Sequence, residues 1–216
     1  MIKLLAISMC LGLSLSVSAQ KLVPKFTYNV ELGLPVSASN LPFRDIMQGL
    51  ASVNTFGQYT FPFHLNLGVG IKYSYFAVNQ FSVSEAVFGG IHSGGAFLKV
   101  GYDKFYNDRF AMDFGVKVGY MEHYMLTDKN KSSGDYPVHV GGSLIEPTVG
   151  FILTADERNS YRFNIGYSIQ GYSFSPQMLG LGSNENYEIE KLNNLTQYFY
   201  IGFGYTFYFG VKGRSD

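Results

Sequence analysis

Residues 63–76, FHLNLGVGIKYSYF, alternate strictly. Phe63, Leu65, Leu67, Val69, Ile71, Tyr73 and Tyr75 form one set, and His64, Asn66, Gly68, Gly70, Lys72, Ser74 and Phe76 form the other. A period of two denotes a strand with two unlike faces. The same pattern recurs along the chain and predicts eight strands, over 26–36, 50–61, 63–76, 94–105, 109–126, 140–154, 160–174 and 196–210. The second, LASVNTFGQYTF, alternates least.

The connections alternate in length. Short ones fall near Pro62, at YNDR (106–109) and at ADERNS (155–160), with the Pro, Asn and Asp of tight turns. Long ones cover 38–49, 79–95, 127–139 and 175–194, and FRDIMQGL (43–50) reads as a short helix within the first. Short turns at one end and long loops at the other predict an all-β fold, a closed up-and-down antiparallel transmembrane β-barrel of eight strands.

The two faces decide the solvent. In 196–210, Phe199, Ile201, Phe203, Tyr205, Phe207 and Phe209 oppose Tyr198, Tyr200, Gly202, Gly204, Thr206 and Tyr208. In 109–126, Phe110, Met112, Phe114, Val116, Val118 and Tyr120 oppose Ala111, Asp113, Gly115, Lys117 and Gly119. An eight-stranded lumen is only just filled by side chains, so the bulky apolar set would overfill it. The glycine-rich set fits inside, and the apolar set must face outward. In water that surface would aggregate, whereas lipid requires it. A secreted lipocalin- or streptavidin-like barrel is the soluble rival, with the faces inverted.

Composition agrees. Glycine numbers 25 of 216 residues, and Phe and Tyr are abundant (19 and 17) while Trp is absent, so Tyr and Phe must supply the interfacial girdles. The start, MIKLLAISMCLGLSLSVSAQ, has a basic Lys3, an apolar run and the small residues VSA before a cut between Ala19 and Gln20. Residues 1–19 thus read as a secretory signal peptide, and 20–216 as the barrel domain. The only cysteine, Cys10, lies in that leader, so the mature chain has no disulfide, thiol chemistry or cysteine metal site. Sixteen basic and sixteen acidic residues balance, and nothing points to nucleic acid.

The last strand carries FGYTFYF (203–209), with Gly204 followed by Phe207 and Phe209 in phase. It resembles the C-terminal assembly signal of the small outer-membrane β-barrel proteins of Gram-negative bacteria, the outer membrane protein A-like class. Residues 20–210 as a whole resemble that class. One departure is that GVKGRSD follows the terminal aromatic. The resemblance implies a monomer in the cell outer membrane with both termini in the periplasm. It implies contacts with outer-membrane lipid and lipopolysaccharide, insertion by the barrel assembly machinery, and outer loops able to take a surface ligand. No particular activity follows from the fold.

The inward set includes Glu31, Lys72, Lys99, Asp103, Asp113, Lys117, Glu146 and Arg162, four of each sign. Buried charges need partners, so a balanced set predicts a polar network that fills the lumen. Counting from the short turns places Lys117 beside Glu146, and Lys99 close in height to Asp113. The role expected is non-catalytic: structural, surface-recognition or envelope assembly. A narrow pore is the alternative, since charge within a membrane span is functional by default.

Lipid A deacylases and palmitoyltransferases occur on this scaffold, which makes a lipid A-modifying enzyme the third reading. It requires a His within reach of a Ser hydroxyl. His64 lies at a short-turn end, His92 in a loop beside Ser93, His123 in YMEHYML with no Ser two residues on, and His139 at a loop edge. None matches, so no catalytic residue is assigned. Asp128 with Asp135, and Glu185 with Glu188 and Glu190, match no metal-ligand spacing, and no cofactor site is expected. The loops hold Phe43, Met47, Phe81, Phe88, Met178 and Leu179, which either pack on one another or contact a partner.

Overall fold

The computed structural model describes residues 25–107, 109–134, 136–182, 187–188 and 192–209. The leader, the tail after Phe209, Asp135, Glu185 and Glu190 lie outside the described residues.

Eight strands close into a barrel in which each pairs antiparallel with its neighbours in sequence and β1 pairs with β8. They are β1 (Phe26–Ser39), β2 (Met47–Thr60), β3 (Leu65–Val78), β4 (Gly89–Phe105), β5 (Phe110–Thr127), β6 (Val138–Thr154), β7 (Asn159–Gln170) and β8 (Gln197–Phe209). The seam runs from Phe26↔Phe209 to Ser39↔Gln197, so the described chain begins and ends at the short-turn end. Closure pairs the edge groups that an open sheet would expose.

The outward face is the apolar one. On β3, Leu67, Val69 and Ile71 are exposed while Asn66, Lys72 and Ser74 are buried; Val69 is 62% exposed and Lys72 only 2%. The aromatic pairs Phe26–Tyr59, Tyr161–Tyr205 and Tyr205–Phe207 band the short-turn end of this face.

The turns follow local chemistry. Asn107 Oδ1 accepts from the N–H groups of Arg109 and Phe110 at 2.9 and 2.8 Å. Asp156 accepts from Asn159 Nδ2 at 2.9 Å and from Arg158 N at 2.7 Å, and these bonds hold its carboxyl below the ordinary range.

Several boundaries differ from expectation. Strand β2 starts at Met47 rather than 50, because Met47 already pairs with Val78. The helix expected at 43–50 is therefore shorter and earlier: α1 spans Leu41–Ile46. Strand β4 begins at Gly89, so the glycine-rich run expected as loop lies in register with 121–127 of β5. The expected 127–139 loop contains α2 (Asp128–Ser133), capped by Thr127 Oγ1 and closed by Gly134 in the left-handed region at φ 86°. Strand β7 stops at Gln170 rather than 174, since Tyr172 and Phe174 turn inward to bury their rings.

Candidate functional site

The lumen is built in tiers. Nearest the short turns, Asp103 accepts from Thr60 Oγ1 at 2.9 Å and from Gln58 Nε2 at 3.3 Å. It pairs across the strands with Asp113, and no described cation bridges to it. Asn29 Oδ1 accepts from Thr206 Oγ1 at 2.6 Å and from Arg162 Nη1 at 3.1 Å.

Above this lies the charge tier. Lys99 and Arg162 both bond Asp113. Lys117 Nζ lies 3.0 Å from Glu31 Oε2 and 3.3 Å from Glu146 Oε1, Lys72 Nζ lies 2.5 Å from Glu146 Oε2, and Arg162 Nε lies 3.8 Å from Glu31 Oε1. The structure thus brings seven of the eight expected charges into one continuous set, with Asp103 on hydrogen bonds alone.

Register explains the pattern. Lys99 faces Lys117 and Asp103 faces Asp113 directly, so like charges oppose and compensation is diagonal or across the lumen. Lys117↔Glu146 is the exception, a true cross-strand pair. Glycine makes room for the crossings: a Cβ at Gly115 would stand 2.8 Å from Lys99 Cε, on the path of that side chain to Asp113.

The lumen also has apolar walls that alternation did not predict. Phe56, Phe97, Met121 and Leu144 form a buried cluster. The Phe56 ring lies 5.2 Å from Lys99 Nζ, 5.4 Å from Lys117 Nζ and 5.9 Å from Arg162 Cζ, so one aromatic ring serves three cations. The Tyr200 ring lies 5.0 Å from Lys72 Nζ.

A hydroxyl tier follows. Ser52 Oγ and Ser74 Oγ are 2.9 Å apart, Ser74 reaches the Tyr198 hydroxyl at 3.4 Å, and Gln170 Nε2 donates to Ser168 Oγ at 2.7 Å. Within this tier His123 Nδ1 lies 2.7 Å from Ser93 Oγ. Sequence reasoning missed this pair, although Ser93 and His123 share a face on adjacent strands; the register Ser93↔His123 joins them. His123 packs its ring on Tyr172 at 4.2 Å and, like Ser93, is buried. No described carboxylate orients this imidazole, and neither side chain is open to a substrate, so the arrangement lacks the parts of a nucleophile–base unit. His92 is not in a loop but on the outward face of β4, bonded to the Tyr73 hydroxyl at 2.8 Å. His64 sits in the turn before β3 and His139 is exposed on β6.

The long-loop end is sealed by an apolar plug in which Phe43, Phe76, Ile91, Met125, Phe174 and Leu179 are buried together. Buried Asn40, at φ 65°, locks the plug: Oδ1 accepts from Phe43 N at 3.1 Å and caps α1, while Nδ2 donates to the carbonyls of Phe174 (3.1 Å) and Asn194 (2.8 Å). Asn130 Nδ2 donates to Met178 O at 2.8 Å, and Thr127 Oγ1 to Leu179 O at 3.0 Å. Burial raises the Tyr172 phenol above its ordinary range, so it stays an uncharged part of the seal. Of the apolar loop residues, Phe43, Met47 and Leu179 thus pack inward, whereas Phe81 and Phe88 are exposed. Among the described residues no group of three or more His, Cys, Asp or Glu side chains could hold a metal ion.

No family model matches the chain, and no curated protein matches it by sequence. Solved structures do resemble it. Neisserial surface protein A is similar with a TM-score of 0.54 at 12% identity, covering 85% of this chain and 97% of that one. A major outer membrane protein from Thermus thermophilus has a TM-score of 0.48 at 11% identity, covering 84% and 98%. OprG from Pseudomonas aeruginosa has a TM-score of 0.46 at 14% identity, covering 86% and 97%. The chain has the fold of the small eight-stranded outer-membrane barrels. At such identities the likeness is one of fold, and function has to be argued from the chain itself.

Proposed function

We propose that the protein is an integral outer-membrane barrel with a closed lumen and a non-catalytic role in envelope structure, surface recognition or assembly. Its termini face the periplasm and its long loops the exterior. One observation carries this reading: the lumen is filled by mutually compensated charges and sealed at the long-loop end by an apolar plug. Among the described residues the long-loop end is packed with buried apolar side chains held by Asn40 and Asn130, which argues against the narrow pore. The enclosed Ser93–His123 pair argues against lipid A chemistry, since an acyl chain cannot reach it. Gly204, which faces Glu31 across the seam, with outward Phe207 and Phe209, serves as the signal read by the barrel assembly machinery. The barrel works as a monomer in contact with outer-leaflet lipid and lipopolysaccharide.

Planar-bilayer recording tests the closed lumen. The refolded protein should give no stable unitary steps, and reproducible ion-selective steps would establish a pore instead. Lipid mass spectrometry of cells with and without the gene tests the enzyme reading. Unchanged lipid A acylation is expected, and a reproducible change would make the protein an enzyme.

A further inference from the structure

One wall of the barrel differs from the rest. Strands β4, β5 and β6 are 17, 18 and 17 residues long, against 12 to 14 for the others. A membrane strand needs about 9–11 residues, so this wall continues past the apolar band. The outward residues form rows across β3–β6. Val69, Leu98, Val118 and Ile145 form an apolar row. Two rows further from the short turns come Tyr73, Gly94, Glu122 and Gly141, and beyond them Tyr75, His92, Tyr124 and His139.

The last row is an alternation of phenol and imidazole. Tyr75 and His92 have ring centroids 4.6 Å apart, Tyr124 and His139 are stacked at 5.9 Å, and Tyr73 bonds His92. Below it, the Tyr120 hydroxyl and the Glu122 carboxylate both lie beside Gly141, and a Cβ at Gly94 would meet nothing within 4 Å, so the wall is notched beside the carboxylate. Because strands tilt, the row climbs. Tyr75 stands ten residues above the start of β3 at Leu65, and His139 fifteen residues above the end of β6 at Thr154. At a rise of ~3.3 Å per residue and a tilt of about 40°, the strip rises roughly 12 Å from the edge of the band.

We propose that this strip binds the saccharide headgroup of a glycolipid in the leaflet on the long-loop side. The inference rests on the outer-membrane reading. The chemistry selects the sugar: ring edges present O–H and N–H donors, ring faces suit sugar C–H groups, and Glu122 accepts hydroxyls. Neither Lys nor Arg occurs at the eight positions, so a bare phosphate finds no cation there. The height matches a headgroup rather than an acyl chain.

The test uses the mature chain refolded in phosphatidylcholine vesicles, alone or with lipid A or phosphatidylglycerol, and reads the temperature at which the folded electrophoretic form is lost. Lipid A should raise that temperature more than phosphatidylglycerol does, and monophosphoryl and diphosphoryl lipid A should act alike. The H92A/H139A double variant should unfold like wild type in phosphatidylcholine and lose at least half of the lipid A-dependent shift. An equal rise with phosphatidylglycerol, or a full shift in the variant, would overturn the proposal. Failure of wild type to insert into any vesicle would instead sink the membrane reading beneath it.

Discussion

At the scale of single residues, the lumen charges differ in what holds them. Glu146 is the only described ion-pair partner of Lys72 and also contacts Lys117, all three being buried. Glu146→Gln should therefore cost about 3–5 kcal/mol, because it leaves a buried cation uncompensated. Asp103 has no such partner and faces Asp113, so Asp103→Asn should cost no more than about 1 kcal/mol. Urea unfolding of both variants in vesicles checks the contrast, and equal costs would refute this account of the network. The eight charges were legible in the sequence as one parity class. Two pairings, Lys117 with Glu146 and Lys99 with Asp113, were legible by counting from the short turns. Lys72 with Glu146, Lys117 with Glu31 and Arg162 with Asp113 were not, because barrel shear brings distant strands together and no local signal encodes it. The same gap hid Ser93–His123, whose partners lie 30 positions apart. Phe56 was hidden differently: it is an apolar residue on the inward face, placed there to line the cations.

At the scale of elements, alternation found every strand and fixed its orientation. It was weakest at β2, for a physical reason. Thr55 and Gly57 occupy outward positions while Phe56 points inward, and Thr55 Oγ1 is satisfied by the Tyr28 hydroxyl at 2.6 Å. Strand ends were misplaced where loop residues join the plug, as at Tyr172 and Phe174, since an inward-turning loop and a strand share the same apolar signal. The plug depends on Asn40. Asn40→Ala removes the cap of α1 and two buried carbonyl partners, and should cost about 1–3 kcal/mol. The variant should keep a heat-modifiable barrel while its long loops become more sensitive to protease; unchanged loop protection would show that the seal does not hang on this residue. On β3 an asymmetry is expected. Val69→Arg places a charge on the outward face near mid-membrane and should cost about 2–4 kcal/mol. Gly68→Trp should fail by overfilling instead, since a Cβ there already lies 3.0 Å from Gly57 O and 3.6 Å from Gln58 and Lys99 side chains.

At the scale of the whole molecule, the barrel is polar at its centre and apolar at its surface, the reverse of a protein folded in water. Closure satisfies the strand edges, compensated charge fills the interior, and the loops shut one end. Each of these makes sense only if the outward face meets lipid. A single spin label at Val69→Cys tests that directly, because a chain beginning at Gln20 carries no other cysteine. In phosphatidylcholine vesicles the label should be relaxed by lipid-dissolved oxygen and be shielded from a water-soluble nickel complex. Strong relaxation by the nickel complex, with little effect of oxygen, would place the apolar face in water and contradict the account.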